Sequence, residues 1–140
     1  MSIEQFAIHM YSNTINVGVW HKAGMADIST TDGLVRIFDA TVTGQGQGVP
    51  TLLPPFSSPV DIPPNSSHTF YTTGTQEPVS IYYTDGSSLH STFASDSYIS
   101  ILEGYSVRFP YRSEHYPTQF NGRSESDIAT HYSFTANFYT

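Results

Sequence analysis

Leu34-Val35-Arg36-Ile37-Phe38-Asp39-Ala40-Thr41-Val42-Thr43 decides the fold class. Leu34, Arg36, Phe38, Ala40 and Val42 alternate with Val35, Ile37, Asp39, Thr41 and Thr43. An extended chain sends these two sets to opposite faces, both apolar at first and one turning polar later. β-Branched and aromatic residues fill the stretch, and nowhere in the chain does an apolar set keep the helical spacing of three and four over three turns. Residues 34–43 therefore read as a strand, entered through Asp32-Gly33, a pair favoured where the backbone turns at positive φ.

Toward the N-terminus, beyond a turn-like break at Lys22-Ala23-Gly24, Ile15, Val17 and Val19 alternate with Asn16, Gly18 and Trp20. A first strand over Ile3–His9 and a turn at Asn13-Thr14 make this an antiparallel hairpin. Toward the C-terminus, Gly44-Gln45-Gly46-Gln47-Gly48 and then Pro50, Pro54, Pro55, Pro59, Pro63 and Pro64 forbid helix and allow strand only in short pieces. Val49, Leu52, Leu53, Phe56, Val60 and Ile62 are dispersed through this region, about 44–66, so it is expected to pack on the sheets. His68–Thr73 and Val79–Thr84 follow as two strands expected to pair, the second closed by Asp85-Gly86. Ser97–Glu103 is a further strand, Gly104 permits a bend before Val107, Phe109 and Tyr111, and a final strand covers about 128–140. Seven or eight short strands predict a single all-β domain over 1–140, a two-sheet antiparallel β-sandwich or jelly-roll-like fold.

Composition narrows the function. In 140 residues, charged side chains make up 12%, against roughly 25% in an average soluble protein. About a quarter of the chain is Ser plus Thr, so solubility rests on hydroxyls and amides. A net charge of -7, with only five Lys plus Arg, has the wrong sign for tracking phosphates, and nucleic-acid binding is not expected. No apolar run approaches the ~18 residues of a membrane helix, and the N-terminus lacks a basic stretch and an apolar core, so neither a membrane span nor a signal is expected. With no cysteine there is no thiol catalysis and no disulfide. Ten Tyr, nine Phe and Trp20 can fill a core instead, each large ring burying about 150–250 Å².

The chemical motifs are weak. Six histidines form no His-x-x-x-His or His-x-His pair. His9 and His21, on neighbouring strands of the expected hairpin, are the best metal candidates, with no third ligand nearby in sequence. Asp27, Asp32, Asp39, Asp85, Asp96 and Glu103 are possible oxygen ligands for calcium from loops, but their spacing matches no calcium loop, and Asp32 and Asp85 are explained as turn residues before glycine. No cofactor is therefore expected, Ca²⁺ being the one considered. Twelve acids offer many pairs for glycoside hydrolysis and no way to choose among them, and there is no Gly-x-Ser-x-Gly elbow. The glycines at 44–48 lack the Lys-Ser/Thr of a phosphate loop. Asn65-Ser66-Ser67 is an N-glycosylation sequon placed after a Pro pair, where a plain turn serves as an equal account. Trp20, Tyr105, Tyr111 and Tyr116 are candidate platforms for sugar rings, which stack on aromatic faces, and each has a core role as its alternative.

Val42-Thr43-Gly44-Gln45-Gly46-Gln47-Gly48-Val49-Pro50-Thr51, Pro59-Val60 and Phe70-Tyr71 resemble a repeated module of large predicted secreted proteins of diatoms and related microalgae. Similar too are Ile81-Tyr82-Tyr83-Thr84-Asp85-Gly86-Ser87, Phe93-Ala94-Ser95-Asp96, Ile99-Ser100-Ile101-Leu102-Glu103-Gly104, Phe109-Pro110-Tyr111 and Phe120-Asn121-Gly122. With Phe6-Ala7-Ile8-His9 and Val17-Gly18-Val19 as its opening hairpin, the likeness covers most of residues 3–122. Gln119-Phe120 stands where that module has Arg-x-Trp, and a strand that normally precedes Ile3 is missing. The resemblance implies an extracellular setting and neither an activity nor a ligand. An open sheet edge would invite strand addition, with the C-terminal strand, Thr130–Thr140, filling the gap in its own chain or in a neighbour. Tyr132, Phe134 and Phe138 are then the assembly residues.

These features lead to the expectation of a non-catalytic, extracellular structural or adhesion module that self-assembles as a homo-oligomer or fibre, or contacts matrix polysaccharide. A lectin-like module or a carbohydrate-active hydrolase is the alternative.

Overall fold

A computed structural model describes residues 1–25, 30–75, 81–82, 84–108, 112–119, 127–129 and 133–139. They are all-β, with no helix among them. The dominant sheet has nine strands. Its main path runs β4 (Val35–Thr43), β3 (Thr14–Ala23), β7 (Ser67–Gly74), β14 (Ser133–Tyr139), β11 (Gly104–Arg108), β12 (Arg112–Gln119) and β8 (Thr84–Asp85). β10 (Ser100–Leu102) pairs with β14 and with β9 (Thr92–Ser95). A three-stranded sheet sets β2 (Ala7–His9) between β13 (Asp127–Ala129) and β5 (Thr51–Leu52), and β1 (Ser2–Ile3) pairs with β6 (Val60–Asp61). All pairings are antiparallel except β13 with β2.

The strand expected over 34–43 is β4, one residue shorter, and Gly33 ahead of it has the positive φ of 78° that its Asp-Gly pair calls for. Its partner is β3, in register from Thr14↔Thr43 to His21↔Val35 with a bulge at Val19/Trp20. The expected hairpin of Ile3–His9 with Ile15–Val19 does not form. β3 is held on both edges, by β4 and β7, so β2 finds its partners in the smaller sheet. The pairing of His68–Thr73 with Val79–Thr84 fails for a similar reason, because β7 is held by β3 and β14. The described part of Val79–Thr84 turns elsewhere: Ile81 bridges to Met10, and Thr84 belongs to β8 against β12.

Residues 44–66 do pack. Leu53, Phe56, Val60 and Ile62 are buried, while Val49 and Leu52 are exposed. The Leu53 and Phe56 amides donate to the carbonyls of Phe6 and Glu4 at 2.8 Å, which ties the proline-rich segment alongside the N-terminal chain. Phe6 is fully buried, its ring edge-on to Phe56 and Phe70, each at 5.0 Å between centroids. Ile8 and Met10 join Val17, Val19, Phe38 and Phe70 in the same core. Edge-to-face rings of this kind add about 0.5–1.5 kcal/mol each beyond the area they bury.

The C-terminal segment is two strands in two sheets, where one strand is expected from the alternation. β13 runs parallel to β2, Asp127↔Ala7 to Ala129↔His9. β14 lies inside the large sheet, with β7 on one edge and β11 and β10 in tandem on the other. Each of its edges has partner strands within the chain.

Candidate functional site

β9 and β10 form a hairpin closed by Ser95↔Ser100, and its tip is Asp96-Ser97-Tyr98-Ile99. The Asp96 carboxylate organises this tip. Its Oδ1 accepts the amides of Tyr98 at 2.7 Å and Ile99 at 2.9 Å, and the Asp96 amide donates to the Ile99 carbonyl at 2.9 Å. An aspartate that caps the backbone two and three residues on holds a turn that would otherwise be loose. The tip carries Tyr98 into solvent, 80% exposed. Beside it lies an open cleft of about 650 Å³ lined by Met1, Pro64, Asn65, Asp96, Ser97, Tyr98 and Ile99. The lining also takes in the turn into β7, where Asn65 holds a left-handed φ of 55° and the Ser66 hydroxyl donates to the Pro63 carbonyl at 2.6 Å. The lining set contains one carboxylate, one amide, one exposed aromatic ring and neither Lys nor Arg.

A second polar centre lies within the sheets. His21 on β3 stands opposite Phe70 on β7, and His68 is two residues from Phe70, so the two imidazoles share a face as diagonal neighbours. Their rings stack at 5.1 Å between centroids, with His21 Nδ1 and His68 Nε2 2.8 Å apart, one donating and the other accepting. Burial lowers the basicity of both. His68, only 5% exposed, is pushed down to about 4 by burial and by the charge His21 would carry.

Glu103 forms the third centre. Its side chain is 1% exposed. Oε2 accepts the amides of Ser87 and Ser88, each at 2.7 Å, and Oε1 accepts the Gln119 amide group at 2.9 Å. Burial pushes this carboxyl up, yet the hydrogen bonds from Gln119, Ser88 and Ser87 outweigh it and hold it below its ordinary value. Gly86 is a glycine because of this packing: a Cβ there would come 2.6 Å from Glu103 Oε2 and 2.8 Å from the Pro117 carbonyl carbon.

The structure separates most of the residues singled out by sequence. His9 lies on β2 and His21 on β3, in different sheets, and no three His, Asp or Glu side chains gather as a metal site among the described residues. Asp96 serves its turn through Oδ1, and both Glu103 oxygens are engaged by hydrogen bonds. Trp20 is half-buried, its ring tilted against Tyr71 at 5.5 Å and lying over Gly18. Tyr105 is half-buried beside His90, with ring centroids 6.0 Å apart. Tyr111 and Tyr132, and Asp27 among the acids, lie outside the described residues, as does the Tyr116 side chain, whose backbone is in β12. By register Phe134 stands between Thr72 and Ser106, and Phe138 between His68 and Ile101. Asn65 does line the cleft.

Alternation over Ser97–Glu103 makes Tyr98 a strand residue and conceals it as a platform. The cue in the sequence is Ser95-Asp96-Ser97, a run of turn formers just ahead of the ring. No protein-family model, curated protein sequence or solved structure matches the chain.

Proposed function

We propose that the protein is a non-catalytic, extracellular adhesion module that contacts neutral carbohydrate at the Tyr98 cleft. The observation that carries this reading is the 80% exposure of Tyr98 on a hairpin tip held by Asp96. A pyranose has one face of C–H bonds that stacks on an aromatic ring, and its hydroxyls need neighbours such as the Asn65 amide and Asp96 carboxylate. With neither Lys nor Arg lining the cleft and a net chain charge of -7, a uronic or sulfated sugar meets among the lining residues only the Met1 ammonium as a cation, and that group already donates to the Ile62 carbonyl at 3.0 Å. An extracellular setting draws support from the resemblance to secreted algal modules and from the Asn65 sequon.

A glycan array probed with the unglycosylated wild-type chain and with Tyr98→Ala, both made in a bacterial cytosol, tests the reading. Neutral oligosaccharides are expected to bind, and loss of the ring to weaken them about tenfold, the equivalent of one stacking contact. A wild-type chain that binds only charged glycans, or none, overturns it.

Self-assembly is the second reading, because β4 is a terminal strand of the large sheet and nine residues long. Its edge is guarded. Arg36 and Asp39 form an ion pair of 2.8 Å on it, and the Ser57 amide and hydroxyl both reach the Ile37 carbonyl. That guarding, with β14 committed to its own sheet, favours the carbohydrate reading.

A further inference from the structure

Asn65 and Tyr98 are far apart in sequence and line the same cleft. Asn65 is exposed at the corner of the turn Pro63-Pro64-Asn65-Ser66, and Ser67, which completes Asn-x-Ser, is the first residue of β7. Its left-handed φ of 55° suits asparagine, which tolerates that region better than most residues. The bond from Ser66 to Pro63 holds the turn, so a group attached at Asn65 Nδ2 starts from the cleft wall. The same cleft is lined by the Tyr98 ring, 80% of the residue being exposed.

We propose that Asn65 is an N-glycosylation site whose first sugar lies on the Tyr98 ring and closes the cleft, so that glycosylation switches off contact with external carbohydrate. The donor is a lipid-linked oligosaccharide of the secretory pathway. The Asn65 amide nitrogen attacks C1 of its terminal N-acetylhexosamine, the Nδ2–C1 bond forms as the bond from C1 to the lipid pyrophosphate breaks, and the nitrogen loses one proton while the pyrophosphate leaves with the bonding electrons. The sugar then meets Tyr98 without the translational cost an external ligand bears, at the high effective concentration of a tether. The effect on binding rests on the carbohydrate reading above, whereas shielding of Tyr98 does not.

The test compares three preparations of the full chain: wild type secreted by a eukaryotic host, Ser67→Ala from the same host, and unmodified wild type from a bacterial cytosol. Ser67→Ala removes the sequon and leaves Asn65 in its turn, and the bacterial protein controls for any folding defect in that variant. Peptide mass spectrometry reads occupancy of Asn65, nitration by tetranitromethane reads access to Tyr98, and a panel of neutral oligosaccharides reads binding. The expected result is an occupied Asn65 in the secreted wild type, nitration of Tyr98 slowed about tenfold relative to the two unglycosylated chains, and oligosaccharide binding by those two alone. An unoccupied Asn65, or a Tyr98 that is nitrated equally in all three, overturns the proposal. Equal oligosaccharide binding by all three overturns the switch and leaves the carbohydrate reading standing. Shielding of Tyr98 with no binding by any preparation overturns the carbohydrate reading and leaves the modified, sugar-covered ring standing.

Discussion

His68 is a base that the fold prevents from acting as one. In the unfolded chain it takes a proton near its ordinary value of 6.5, and in the folded chain only near 4. Between those values the unfolded state holds more protons, so stability rises with pH across the window and is lost as pH falls from 6.5 toward 4. The full shift corresponds to about 3 kcal/mol, with His21 adding in the same direction. Urea midpoints measured from pH 7 to pH 4 are expected to fall for the wild type and to fall less steeply for His68→Leu, in which His21 alone of the pair remains. An equal slope in both would mean that the acid sensitivity comes from elsewhere. Local sequence gives no hint of this pair, since 47 residues separate its members and only the β3/β7 register brings them together.

At the scale of elements, the segment after β8 is anchored to the core by the half-buried Phe93, Ile99 and Ile101 and is tied internally by one buried carboxylate. Besides the two serine amides on its side chain, Glu103 contributes its backbone, its carbonyl accepting from His90 and its amide donating to the Ser91 carbonyl. Glu103→Gln keeps the shape and replaces an acceptor of charged character by a neutral group that also brings N–H donors toward N–H donors. A loss of about 2–3 kcal/mol in denaturant unfolding is expected, with faster hydrogen exchange at Ser87 and Ser88. An unchanged midpoint would show that the serine amides find other acceptors. Because the folded Glu103 carboxyl sits below its ordinary 4.5, its contribution is present above that pH and is lost as pH falls further, below most of the histidine window.

What was legible at this scale follows from what alternation encodes. Side chains of period two reveal that Val35–Thr43 and Ser67–Gly74 are strands, and dispersed Leu53, Phe56 and Ile62 reveal that a proline-rich stretch is buried. Alternation does not say which edge a strand will meet. Both misplaced pairings, β2 with β3 and β7 with Val79–Thr84, assumed that neighbours in sequence are neighbours in the sheet. The Tyr98 tip was hidden for another reason, since alternation starts a strand at Ser97 whereas the sheet takes up the chain only at Ser100, after the Asp96 turn.

For the molecule as a whole, β14 is the strand on which the large sheet depends. It joins β3, β4 and β7 on one side to β10, β11 and β12 on the other. Removing residues 133–140 exposes the edges of β7, β10 and β11 together, and the truncated chain is expected to lose its cooperative melting transition and its dispersed amide spectrum. A truncated chain that stays folded and melts as before would show that the halves hold without it.

The position of β14 also sets an order of events during synthesis. β7 ends at Gly74 and β14 begins at Ser133, so the ribosome makes roughly 60 more residues, about 3–12 s of elongation, before β7 can meet its second neighbour. Through that interval the nascent chain holds an unfinished sheet with a bare edge, a state that is slow to resolve because its closure is non-local. A polypeptide built this way stays open to mispairing until late, because the bare edge of β7 accepts any strand that reaches it before β14 does.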